Sequence, residues 1–225
     1  TLFSMVAVGV LAGCETLPRQ VLPYVMRDSA GGLDLYLYDL ESGSSEALTQ
    51  TLVVNEADPA MDRAGQRVVY VEAGTATGQG SFNIIIRDLQ TGQSEAVVQT
   101  SMPLFSPAFS NNGKKLAYVV QRDSKFQIEV KDLTTDAEAT VIGFGSDPSW
   151  RVDDRAIFYS TRDTLDAEAG DLNVHELNTG INQSLRLRGN SFTNLTGGTS
   201  IAYTALAYSR RNEAVWVIDA NSRQT

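Results

Sequence analysis

Few residues in this chain have the type and spacing that chemistry demands. Among 225 residues there is one histidine, His175, and one cysteine, Cys14. Zinc coordination by three or four protein ligands cannot be assembled from that set. A Ser-His-Asp triad also fails, because no G-x-S-x-G elbow is present. Carboxylates are the next resource. Asp163, Asp166, Glu168 and Asp171 gather in RDTLDAEAGD, and hard oxygen ligands of that kind hold calcium. Leu165 nevertheless fills a ligand position of the D-x-[DN]-x-[DN]-G loop, so the segment reads as a solvated loop, although it is the one candidate for a metal. Asp153-Asp154 could form an acid/base pair, yet they fall where a repeated turn elsewhere carries Asn112 and Gly113. Gly113-Lys114-Lys115 lacks the spacing of a phosphate loop, and so does the Gly-rich stretch from Gly74 to Ser81. No cofactor is expected.

These residues are positioned by a repeat. Tyr24, Tyr70, Tyr118, Tyr159 and Tyr203 recur at spacings of 46, 48, 41 and 44 residues. An independent acidic marker, Asp39, Asp88, Asp132, Glu176 and Asp219, recurs at 49, 44, 44 and 43. DPAMDRAGQRVVYV from Asp58, SPAFSNNGKKLAYVV from Ser106 and DPSWRVDDRAIFYS from Asp147 align without gaps. Each copy holds a Pro-led strand, a turn and an apolar strand. Proline is tolerated at a strand start, where no ladder donor is needed, and Asn, Asp and Gly suit the turn. Arg67 to Val71, Leu116 to Val120 and Ala156 to Tyr159 are nearly continuously apolar, which predicts strands covered on both faces. A third strand alternates, as in Phe126-Gln127-Ile128-Glu129-Val130, and a weaker fourth follows. His175 aligns with Tyr38, Arg87 and Lys131, which predicts a place facing solvent or a blade edge.

Four short strands in a unit of about 40–45 residues are the signature of a β-propeller blade. The fold class expected is all-β: a propeller of four-stranded antiparallel blades, here an incomplete arc of about five blades. A sandwich of hairpins would require alternation in every strand and no fixed period. The first and last blades are read as partial, so closure is expected to need further blades, since open sheet edges expose unpaired backbone.

The formal net charge of -9 disfavours nucleic acid, whose phosphates call for clustered Lys and Arg. The N-terminus is different in character. Leu2 to Ala12 is apolar and short, the length of a signal h-region. Leu11-Ala12-Gly13-Cys14 then resembles the lipobox of bacterial lipoprotein precursors, which implies a diacylglyceryl group on Cys14 after cleavage before it. The opposing reading is a buried core cysteine. The expected organisation is a signal peptide over 1–13, truncated at its start because Met and a basic n-region are missing, a lipidated Cys and tether over 14–20, and blades over 21–225. Glu15 after the cysteine implies, by the same resemblance, the periplasmic face of the outer membrane.

With SPAFSNNGKKLAYVV and its copies, the Arg-Asp pairs Arg27-Asp28, Arg122-Asp123 and Arg162-Asp163, and the following DL-x-x-G element, the chain resembles the TolB-type propeller repeat, a WD40-like unit. Only Trp150 keeps the repeat's Trp, and Asp62-Arg63-Ala64-Gly65, Ser110-Asn111-Asn112-Gly113 and Arg151-Val152-Asp153-Asp154 depart from Ser-Pro-Asp-Gly, which sets the chain apart from TolB itself. The resemblance implies that Asp58, Ser106 and Asp147 lie at one mouth of the central channel, where such propellers engage envelope proteins; these residues could equally only cap the turn before Pro. The function expected is a non-catalytic envelope lipoprotein with a protein- or peptide-binding propeller, held to the membrane by its lipid anchor. The alternative is a propeller enzyme, a hydrolase or lyase, or the propeller half of a peptidase.

Overall fold

The computed structural model describes residues 20–27, 31–51, 54–74, 80–162, 170–189, 191–194, 200–206 and 213–219, with side chains as far as residue 186. Among these residues the chain is all-β. Among them no helix is long and apolar enough to cross a membrane. Five antiparallel sheets follow one another as blades of an open arc. The first holds β1 (Val21–Arg27), β2 (Leu33–Asp39) and β3 (Ser45–Ala47). The second holds β4 (Val54–Met61), β5 (Arg67–Gly74), β6 (Ser81–Asp88) and β7 (Ser94–Thr100). The third holds β8 (Leu104–Phe109), β9 (Lys115–Arg122), β10 (Lys125–Asp132) and β11 (Thr140–Phe144). The fourth holds β12 (Ser146–Trp150), β13 (Ala156–Ser160), β14 (Gly170–Glu176) and β15 (Ile181–Gly189), and the fifth β16 (Ser191–Asn194), β17 (Ser200–Leu206) and β18 (Glu213–Asp219). Strands pair in chain order within each blade. The first strands β4, β8 and β12 lie against one another in turn, so they form the inner edge of the arc.

The central run of the second strand, Val68 to Val71, Leu116 to Val120 and Ala156 to Tyr159, is apolar because its two faces serve different neighbours. Leu116, Tyr118 and Val120 of β9 pack with Val69, Val71 and Ile84 of the second blade. Ala117 and Val119, on the opposite face, pack with Trp150, Ile157 and Phe158 of the fourth. Successive side chains of a strand alternate in direction, so both registers must be apolar and each buried Val or Leu stabilises the stack by roughly 1.5–3 kcal/mol. Polar ties supplement this packing. The Trp150 indole N–H donates to the Ala108 carbonyl at 2.9 Å, and the Arg67 guanidinium sits 4.8 Å above the Phe109 ring.

The periodic acidic residue closes the hairpin between the third and fourth strands. Asp88 Oδ1 accepts from the N–H groups of Gln90 and Thr91 at 2.9 and 2.7 Å, and Asp39 Oδ1 does the same for Glu41 and Ser42 at 3.0 and 2.8 Å. Such Asx turns favour the ionised acid: the Thr91 N–H and hydroxyl hold the Asp88 carboxyl below its usual range, and the Thr134 hydroxyl and N–H do the same for Asp132.

Two expectations need correction. His175 is buried, not solvent-facing; its Nδ1 lies 2.9 Å from Asn182 Oδ1 across the β14–β15 pair. Glu129, which the alternation of the third strand puts on its polar face, is buried as well. It accepts from the Tyr118 hydroxyl and from Arg122, each at 2.9 Å. In both cases a polar partner across the strand pair makes burial tolerable.

Candidate functional site

The inner strands share one irregularity. Pairing of β4 with β5 shifts register between Ala57 and Ala60. The shift recurs between Phe105 and Ala108 in the third blade and between Ser146 and Ser149 in the fourth. The skipped residues are Asp58-Pro59, Ser106-Pro107 and Asp147-Pro148. Proline has no N–H to leave unpaired in such a bulge. The residue before each proline adopts a left-handed backbone, with φ of 49° at Asp58, 47° at Ser106 and 54° at Asp147. Asp tolerates this region better than most residues, while Ser gains less from it. Bulges of this kind re-aim side chains.

Re-aimed, the three residues meet across blade boundaries. The Ser106 N–H donates to Asp58 Oδ2 at 2.9 Å. The Ser106 hydroxyl is 3.4 Å from Asp147 Oδ1, and the Ser146 hydroxyl donates to Asp147 Oδ2 at 2.7 Å. Arg162 flanks the row, with Nη2 at 3.7 Å from Asp147 Oδ2. Burial lifts the Asp147 carboxyl above its ordinary value; Ser146, Arg162 and Ser106 oppose the lift, and Asp58 adds to it. The result is a row of acceptors along the inner edge, anionic at Asp58 and Asp147. Such a row suits the N–H groups of an extended chain or a cationic side chain. The sequence offered the D-P and S-P dipeptides at equal offsets, but Arg162 and Ser146 were missed as partners. Arg162 carried a signal, since it matches Arg122 in the repeat.

The other candidates do not join this row. Asp163, Asp166 and Glu168 lie outside the described residues, as do Cys14 and most of the Gly74 to Ser81 stretch. Asp171 is exposed, and its N–H donates to the Thr161 hydroxyl at 2.8 Å. Among the described residues no group of three or more His, Cys, Asp or Glu side chains is placed to hold a metal ion. Asp153 and Asp154 serve the turn. Asp154 has φ of 58°, beside 67° at both Gly65 and Gly113 in the equivalent positions, and its carboxylate clasps the preceding blade. Oδ1 accepts from the Asn111 N–H at 2.6 Å and from its amide at 2.9 Å, and Oδ2 from the Asn112 N–H at 2.9 Å.

No protein-family model matches the chain. A segment of 46 residues is 46% identical to the Tol-Pal system protein TolB of Pasteurella multocida, covering 20% of this chain and 11% of that protein. The crystal structure of TolB from Acinetobacter baumannii superposes with a TM-score of 0.73 at 19% identity over 90% of this chain and 51% of that one. Oligogalacturonate lyase from Vibrio parahaemolyticus superposes with a TM-score of 0.61 at 12% identity, over 85% of this chain and 58% of that one. The chain spans about half the length of the TolB structure. At these identities the likeness is one of architecture, and the architecture of the described residues, together with the short TolB match, is that of a TolB-like β-propeller repeat.

Proposed function

We propose that this protein is a non-catalytic cell-envelope lipoprotein, tethered through Cys14 to the periplasmic face of the outer membrane, whose propeller serves as a protein- or peptide-binding platform. The observation that carries the reading is the row of three equivalent bulges, in which Asp58, Ser106 and Asp147 converge through hydrogen bonds across blade boundaries. Strain repeated at one position of a rigid scaffold supports function at that position, and binding residues on such scaffolds concentrate where irregular backbone is held by regular elements. The match to a protein named for the Tol-Pal system supports an envelope location and a protein partner. The chain's one histidine does not offer a hydrolase or lyase a free base, since its ring is buried against Asn182. Fold likeness to a lyase does not supply one.

The test is capture from envelope extracts by the wild-type chain and by two variants. One protein recovered by the wild type should be lost with Asp58→Ala/Asp147→Asn and kept with Ile181→Ser, which alters an exposed outer strand. Equal recovery by all three would remove the mouth from the reading. The anchor is tested separately: labelling with a radioactive fatty acid should disappear in Cys14→Ala.

A further inference from the structure

The repeat is broken at one buried place. In the third blade Leu104 on β8 lies opposite Val120 on β9. The corresponding pair in the second blade is Glu56 on β4 opposite Glu72 on β5. Like charges directly opposed disfavour a strand pair, and Glu56 has 0% of its surface exposed.

The surroundings do not neutralise it. Asp34 of β2 is itself buried and acts on Glu56 with the same sign, as does Glu72. Tyr70 of β5 feels the Glu56 charge as well. On β1 the charged residue is Arg27, which is exposed and donates to the Gly31 carbonyl at 2.6 Å. Strand β8 carries no ionisable side chain, and Asp58, further along β4, faces Ser106. Among the described residues, no cation is one of the main groups that act on Glu56.

Hydrogen bonding points the same way. The Thr51 hydroxyl lies 2.9 Å from Glu56 Oε1 and 3.1 Å from the Val54 carbonyl oxygen. A hydroxyl has one proton to give, so an ionised Glu56 and Val54 compete for it. Glu56 Oε2 is buried with no hydrogen-bond partner among the described residues. An ionised carboxylate would leave that oxygen charged and unsolvated. A neutral acid resolves the conflict: its own O–H donates to the Thr51 oxygen, and the Thr51 proton is released to Val54.

We propose that Glu56 is a buried proton site whose neutral acid, and not its carboxylate, fits the seam between the first and second blades, and that loss of its proton loosens that seam. Burial raises its pKa above the ordinary 4.5, Asp34 and Glu72 add to the rise, and the Thr51 bond and Glu56's own backbone N–H oppose it. The folded state then holds a proton that the unfolded chain has released. Stability therefore falls as pH climbs from 4.5 through the raised folded value. The proposal is independent of the binding role, since Glu56 is no part of the Asp58 row.

Three measurements on the full chain test it. Carbon-13 titration of the Glu56 carboxyl, assigned with Glu56→Gln, should give a midpoint above 4.5; a midpoint at or below that value overturns the proposal. Urea unfolding should show the wild type losing stability over that pH range, while Glu56→Gln and Glu56→Leu hold a higher and flatter midpoint; a wild-type slope retained in both variants overturns it. Amide protection at Leu35 and Tyr70, taken relative to Ile157 and Phe158 of the fourth blade, should drop with rising pH in the wild type alone. A constant ratio rules out the seam.

Discussion

The Ser106 N–H donates to Asp58 Oδ2 at 2.9 Å across the boundary between the second and third blades, so one bulge holds the next. Asp58→Ala removes that acceptor and should destabilise the chain by about 0.5–1.5 kcal/mol. Asp58→Asn keeps a carbonyl oxygen in the same place and should lose less than half as much. Urea unfolding of the two variants checks this. Equal losses would mean that the bond contributes nothing and that charge alone matters at Asp58.

A second boundary is closed by Asp154, whose carboxylate accepts from Asn111 and Asn112 of the preceding blade. Asp154→Ala should cost about 1–3 kcal/mol, because it leaves those donors without their partner. Asp154→Gly loses the same bonds but relaxes the backbone at φ of 58°, and glycine occupies that region without steric penalty. Thermal unfolding should therefore rank wild type above Asp154→Gly and Asp154→Gly above Asp154→Ala. The reverse order of the two variants would show that the turn is not strained.

The blades were legible because their signal is local and repeated. A Pro-led step, an Asn/Gly turn and a run such as Leu116 to Val120 fit within one hairpin, and their period names the architecture. The site was only half legible. The D-P and S-P dipeptides marked the positions of Asp58, Ser106 and Asp147, but a bulge is a relation between two paired strands, and no single strand encodes it. The bond from Ser106 to Asp58 spans 48 residues, beyond any local pattern. His175 and Glu129 were misplaced for a related reason. A polar residue in a strand reads as exposed until its cross-strand partner is known, and Asn182 and Tyr118 are those partners.

Alkaline titration should show Tyr70 as a raised phenol. Burial, and then the Glu72 charge, push its phenol up to about 12. The folded protein thus keeps a proton that the unfolded chain gives up near 10. Stability contributed by the neutral phenol is complete below that value and is lost as pH rises through about 12. Tyr70→Phe should flatten this part of the stability profile, and ultraviolet difference absorbance should lose the tyrosinate that titrates near 12, while Tyr118, pushed up further by burial and the Glu129 charge, still titrates later. An unchanged phase near 12 in the variant would assign it to another residue.

Asp147 gives the mouth its own pH dependence. Its carboxyl sits above the ordinary 3.8, chiefly because burial disfavours the charged form, with Asp58 adding repulsion. An acid with a raised folded pKa stabilises the fold most when it is protonated, so this contribution is greatest at pH below 3.8 and declines as pH climbs through the folded value. Asp147→Asn keeps an acceptor for Ser146 and Ser106 but removes the part-buried charge. It should therefore be at least as stable as the wild type at neutral pH, and its midpoint should decline less with rising pH than that of the wild type, the remaining slope being that of Glu56. Arg162 sets the counterweight, since its guanidinium lies 3.7 Å from Asp147 Oδ2. Arg162→Gln should steepen the decline with rising pH, because it leaves the ionised Asp147 without its nearby cation. If Asp147→Asn is instead clearly destabilised at neutral pH while Arg162→Gln is neutral, the row is held by the Asp147 charge, and burial is not what governs its protonation.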